Sequence, residues 1–98
     1  MDKYTLARKI GLKDNFDIKN FLDLISMEVI AQTFDDKILI TALLKLSKIE
    51  RIILIFNIVL GMRLPEIATL LDIKIDNLYV RKYRAKKMLI KHIEDMEL

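Results

Sequence analysis

Residues 76–91 hold the most chemically specific pattern in the chain. Asp76, Asn77, Tyr79 and Val80 stand together at its start, and Arg81, Arg84, Lys87 and Lys91 follow. An Asn amide pairs with adenine, an Asp carboxylate accepts from the cytosine amino group, and an apolar side chain touches a thymine methyl. The first four residues are therefore candidates for contacting base edges. The cations suit phosphate oxygens, as do Lys74 and Arg63, which stand at the entrances to two successive expected helices. Neutralised phosphates release counterions, so such binding weakens steeply with salt. For a charged stripe alone, the competing reading is a solvated helix face.

Catalysis has little to stand on. His92 is the only histidine and falls on the apolar side of its helix, where a packed or rim residue is expected. Asp35 and Asp36 are adjacent, so on a helix they would point apart, and helix capping explains them better than an acid–base pair. Asp95 and Glu97 near the C-terminus read the same way. There is no glycine-rich phosphate loop and no nucleophile with a base at hand, so no catalytic residue, metal site or cofactor is expected.

The elements that would position the basic stripe are read from periodicity. Pro65 has no N–H to lose in a first turn and Glu66 favours the positive end of the helix dipole, which predicts a short helix over Pro65 to Leu71. Asp72 ends it, as a residue type that tolerates the left-handed conformation a tight bend needs. Asp76 is expected to cap the long last helix, which runs to about Met96. At about a hundred degrees per residue, Leu78, Ala85, Leu89, His92 and Met96 share one side with Ile93 beside them, while Asp76, Val80, Arg84, Lys87 and Lys91 lie opposite. Lys82, on the edge of the apolar side, is expected to snorkel. Tyr79, Tyr83 and Ile90 form a further stripe, expected to pack under the N-terminal helices or else to meet DNA or a second subunit.

Upstream, Ile18, Phe21, Leu22, Ile25 and Val29 recur at steps of three and four with Lys19, Asn20 and Asp23 opposite, predicting an amphipathic helix from Asp17 to near Gln32. Asp35 and Asp36 can cap the next, with Ile38, Ala42, Leu43 and Leu46 facing inward. Ser47 and Glu50 have the spacing of a capping box for a helix over Lys48 to Leu60. That helix is apolar nearly all round, interrupted only by Glu50, Arg51 and Asn57, so it must be covered on more than one face. The Asp17 to Gln32 helix can supply the cover; a second copy or another protein is the alternative. Tyr4, Leu6, Ile10 and Leu12 can lie on a short, fraying first helix, stopped at Gly11.

The segment LGMRLPEIATLLDIKIDNLYVRKYRAKKML resembles the helix-turn-helix of region 4 of bacterial sigma factors. The matching residues are Gly61, Glu66, Ile67, Ala68, Leu71, Ile73, Leu78, Arg84, Ala85, Lys87 and Leu89. Leu43, Leu46, Glu50 and Arg51 also stand at the family's usual places, so the resemblance covers about the last sixty residues. Asp72 and Asp76 stand where the family often has Gly, and Asn77 where Thr is common, so no base preference is carried over. The resemblance implies a recognition helix at about 76–91 in a major groove. It also implies a fourth-helix region near the surface that docks on RNA polymerase.

Composition agrees with a small helical protein. The chain has 98 residues, 53% hydrophobic, with 2 Gly and 1 Pro, which favours packed helices over a turn-rich sheet. Its formal charge of +3 is mild, so placement of charge is more informative than its sum. The absence of Cys removes disulfides and thiolate metal sites and suits a cytoplasmic location. No apolar h-region stands at the start, and no apolar run is long enough for a membrane span. The expectation is an all-α bundle of five or six helices, with 1–34 a helical extension packing on a helix-turn-helix domain at 35–98. Its function would be to bind double-stranded DNA as a transcriptional regulator. About forty residues before the match are too few for a DNA-melting second domain, so a sigma-like role would need another chain, and a homodimer is expected because one helix-turn-helix buries little DNA surface. The competing class is an interaction module for RNA polymerase, another sigma factor or a separate region-2 chain.

Overall fold

The central element of the computed structural model, which describes residues 17–97, is a helix over Lys48–Leu54 that runs on as a π-helical turn over Ile55–Val59. The short first helix expected at the N-terminus lies outside the described residues. In chain order the helices are α1 Ile18–Thr33, α2 Lys37–Lys45, α3 Lys48–Leu54 with its π turn, α4 Leu64–Leu71 and α5 Ile75–Glu97. No strand occurs among the described residues, so the fold is an all-α bundle.

Each start is locally encoded. The Asp17 carboxylate accepts from the N–H groups of Lys19 and Asn20, and Asp36 does the same for Ile38 and Leu39. Of the two candidate caps, Asp36 is therefore the one used. At α3 the Ser47 hydroxyl accepts from the Glu50 N–H at 3.3 Å while the Glu50 carboxylate accepts from the Ser47 N–H at 3.0 Å. Each such cap satisfies an otherwise orphaned N–H and stabilises by about 1 kcal/mol.

The all-round apolarity of α3 has a direct cause: it serves two cores at once. Ile52, Ile53 and Phe56 face a cluster made with Leu22 of α1, Ile67, Ala68 and Leu71 of α4 and Leu78 of α5. Leu54 and Ile55 face a second cluster with Ile30, Leu43, Leu46 and Ala85. Both α1 and α5 pack extensively on α3, so α1 does supply cover, though not alone. Burying an Ile side chain of this kind contributes roughly 1.5–3 kcal/mol.

Four local expectations are corrected. The helix over Lys48 to Leu60 does not stay α-helical to its end: Leu60 N–H bonds to Ile55 O at 3.0 Å in the five-residue π pattern, and the Asn57 amide donates to Met62 O at 2.9 Å. The wider turn leaves Leu60 and Ile58 at the surface, 48% and 56% exposed. Ile38, in the first turn of α2, is 37% exposed and does not join the inward side. Asp23, read as outward-facing, is buried because Arg51 of α3 pairs with it. The stripe of Tyr79, Tyr83 and Ile90 is exposed rather than packed under α1.

Candidate nucleic-acid interface

The bend between α4 and α5 is built by residues that cannot continue a helix. Pro65 lies in the first turn of α4, whose start is one residue earlier than expected, and Glu66 occupies the same turn. At the other end Asp72 adopts φ 56° and ψ 46°, the left-handed conformation. Its N–H reaches Thr69 O and the Ile73 N–H reaches Ala68 O at 3.0 Å, which is the hydrogen-bond pattern of a Schellman turn. Ile73 and Ile75 tuck against the core beneath the bend. The chain then enters α5 with Lys74 O accepting from Leu78 N–H at 3.0 Å. Asp76 is thus inside the first turn of α5 and does not cap it; an acid there still favours the helix dipole.

The 23 residues of α5 form a rod about 35 Å long. Leu78 and Ala85 are fully buried, and Leu89, His92, Ile93 and Met96 continue that side as partly buried residues. Lys82 is half-buried at its margin. Asp76, Asn77, Tyr79, Val80, Arg81, Arg84, Lys87 and Lys91 are all exposed. The sorting of α5 into an inward and an outward side therefore holds in the folded chain.

An open groove of about 560 Å3 lies along the junction of bend and rod, lined by Asp72, Ile73, Lys74, Asn77, Val80, Arg81 and Arg84. It brings two of the base-contact candidates together with three of the phosphate candidates. Tyr79 sits on the neighbouring face, with Lys87 Nζ 4.7 Å from the Tyr83 ring centre one turn on, a cation–π distance. Lys87 and Lys91 continue the basic stripe beyond the groove. Arg63 stands apart at the entrance to α4, where its Nε is 3.3 Å from Glu66 Oε1. Both partners there are largely exposed, so the pair is weak and open to exchange for another anion.

The other flank of the bend holds none of the residues expected to contact DNA except Lys74. A second shallow groove of about 740 Å3 is lined by Pro65, Ala68, Thr69 and the residues from Asp72 to Ile75. The Thr69 hydroxyl is exposed there and donates to Pro65 O at 3.1 Å. The available signal was the one-turn spacing of Pro65 and Thr69 on the polar edge of α4. Asp72 lines both grooves, so an exposed carboxylate stands at the bend between the two helices. Among the described residues, no group of three or more His, Cys, Asp or Glu could hold a metal ion. No helix there is long and apolar enough to cross a membrane.

Comparison with known families agrees with this geometry. The model of the family described as Sigma-70, region 4 matches residues 36–89, more than half of the chain, from the start of α2 to Leu89 within α5. No curated protein and no solved structure matched. Region 4 domains are helix-turn-helix domains that bind DNA and core RNA polymerase. With α4, the Asp72 bend and the outward basic side of α5 as far as Lys87 inside the matched span, the chain belongs to the sigma-70 region 4 family.

Proposed function

We propose that the protein is a sequence-specific DNA-binding regulator of transcription that acts in the cytoplasm with α5 in the major groove. Residues 35–98 are the helix-turn-helix domain, and 1–34 an extension whose α1 braces it. Asn77, Val80, Tyr79 and Asp76 meet base edges, and Arg63, Lys74, Arg81, Arg84, Lys87 and Lys91 meet phosphates. The observation that carries this reading is the groove in which Asn77 and Val80 lie among Lys74, Arg81 and Arg84, all accessible from one side.

The test is fluorescence anisotropy with labelled duplexes selected from a random pool, at low and at doubled salt. The parent should bind with a steep salt dependence, and Arg84→Ala and Lys87→Ala should each weaken binding and lower the log–log salt slope by about one. Equal and negligible retention of the three proteins at low salt would overturn the reading.

A second reading has its own observation. Phe34, Leu39, Leu43, Leu54, Ile58 and Leu89 are among the residues lining an almost wholly apolar cavity of about 110 Å3 on the side away from the groove, with Lys86 at its edge. Together with the acidic Asp72 and Asp76 beside the bend, it favours an interaction module that holds RNA polymerase, a sigma factor or a separate region-2 chain. Retention of such a partner by a protein that ignores DNA would select this alternative.

A further inference from the structure

We propose that Tyr83 is a further DNA-contacting residue, whose hydroxyl donates to a phosphate on the wall of the major groove opposite the wall met by Arg81. This rests on the DNA-binding reading above and gives a role within it to an aromatic side chain that the reading leaves idle. Tyr83 is 61% exposed, yet it lines neither groove beside the bend. It stands on the other flank of α5.

Helical geometry fixes that flank. At about a hundred degrees per residue, Tyr83 and Arg81 lie about 160° apart around the rod, with Val80 and Arg84 between them. Arg81 shares its groove with the bend residues Asp72, Ile73 and Lys74, so its flank is the one beside the bend. Tyr83 therefore points away from the bend. A major groove is about 12 Å wide and a helix with its side chains about 10–12 Å across, so α5 inserted with Val80 foremost reaches both walls at once. Those walls are the backbones of opposite strands. Lys74 and Arg81 supply contacts to one, and Tyr83 with Lys87 to the other.

Position along the rod agrees. The first residues of a recognition helix reach base edges and its later turns meet the backbone, and Tyr83 stands six residues after Asn77, about 9 Å further on. The side chain is also restrained there. Lys87 Nζ lies 4.7 Å from the ring centre, so the cation holds the ring and sets a positive charge beside it, where a phosphate is attracted. No described residue bonds to the Tyr83 hydroxyl, which leaves its proton for a phosphate oxygen.

Tyr83→Phe removes the hydroxyl and keeps the ring, at an exposed position where the fold does not depend on it. In anisotropy titrations this variant should bind duplex roughly three- to tenfold more weakly than the parent, the range for one net hydrogen bond. The loss should be equal on a selected and on a mixed-sequence duplex, because a phosphate contact reads no sequence. The log–log salt slope should stay that of the parent, since a neutral hydroxyl displaces no counterion, whereas Lys87→Ala lowers it by about one. Duplexes carrying one methylphosphonate at a time then locate the contact. The position that weakens the parent but not Tyr83→Phe should lie on the strand opposite the position that weakens the parent but not Arg81→Ala. Tyr83→Phe binding as tightly as the parent, a loss confined to the selected duplex, or both variants coupled to phosphates of one strand would overturn the assignment and leave the DNA-binding reading standing. A parent that binds no duplex overturns that reading itself, and the assignment with it.

Discussion

Arg51 of α3 and Asp23 of α1 are joined side to side inside the protein, with Nε 2.7 Å from Oδ1 and Nη2 2.9 Å from Oδ2. Both side chains are nearly out of contact with solvent. The remaining guanidinium nitrogen, Nη1, donates to Leu44 O at 2.9 Å and Leu46 O at 3.0 Å, carbonyls at the end of α2 that have no helical partner. One side chain therefore ties α1, α2 and α3 together. The fork shape of Arg is required, because a Lys offers no two parallel donors for the carboxylate.

Asp23→Ala should consequently be among the most damaging substitutions outside the apolar core. It leaves a buried guanidinium without its counter-charge, which costs about 3–5 kcal/mol. Urea unfolding should show the midpoint falling in proportion, and Arg51→Lys should itself destabilise because the bidentate pair and the bonds to the end of α2 are lost. A loss under 1 kcal/mol for Asp23→Ala would mean that water reaches the pair.

Asp72 combines two costs that can be separated. Its left-handed backbone disfavours any residue with a Cβ, and its carboxylate opposes an approaching polyanion. Asp72→Gly should stabilise the fold by about 0.5–1 kcal/mol, since glycine adopts that conformation freely. Asp72→Asn should leave stability nearly unchanged while improving DNA affinity by an amount on the order of 0.5 kcal/mol, the energy of two charges some ångströms apart in water. Thermal melts and anisotropy titrations of both variants check this. If Asp72→Asn weakens DNA binding instead, the carboxylate takes part in recognition.

Gly61, with φ +74°, makes the corner between the π turn and α4. A Cβ added there would meet nothing within 4 Å, so the cost of Gly61→Ala is conformational and not steric. A loss of about 1–2 kcal/mol in urea unfolding is expected, and Gly61→Asn should lose less because Asn tolerates this region better. A loss far above that range would point to a backbone shift that carries α4 away from α3.

The extent to which this architecture could be read from the sequence follows from the range of each interaction. Asp17, Asp36 and the Ser47–Glu50 pair act within one turn, so their types and spacing announce the helix starts directly. The outward side of α5 was legible for the same reason, since Leu78 and Ala85 fix its rotation and Val80, Arg84 and Lys87 must then face away. Asp23 was not legible: its partner is 28 residues along, and periodicity assigns a charged residue outward by default. The π turn was hidden because Ile55, Ile58 and Val59 suit either helical period. The bend at the left-handed Asp72 was legible in its residue type, but the lining of the groove depends on how α4 then packs against α5, which is set by contacts between the helices.

Along the outward side of α5, Asn77 in the groove and Lys91 beyond it should fail in different ways. Asn77 is near the start of α5, exposed and beside Val80, where an amide can make two bonds to one adenine. Lys91 is about 20 Å further along the rod, beyond reach of the same base pairs, and contributes charge. Asn77→Ala should cost about 1–3 kcal/mol on a selected duplex and little on a mixed-sequence one, relaxing discrimination at one base pair. Lys91→Ala should weaken both duplexes equally and lower the salt slope by about one. Titrations of each variant against both duplexes at two salt concentrations separate the cases. A uniform loss from Asn77→Ala would place it among the phosphate contacts and leave Val80 and Tyr79 to carry whatever sequence preference the protein has.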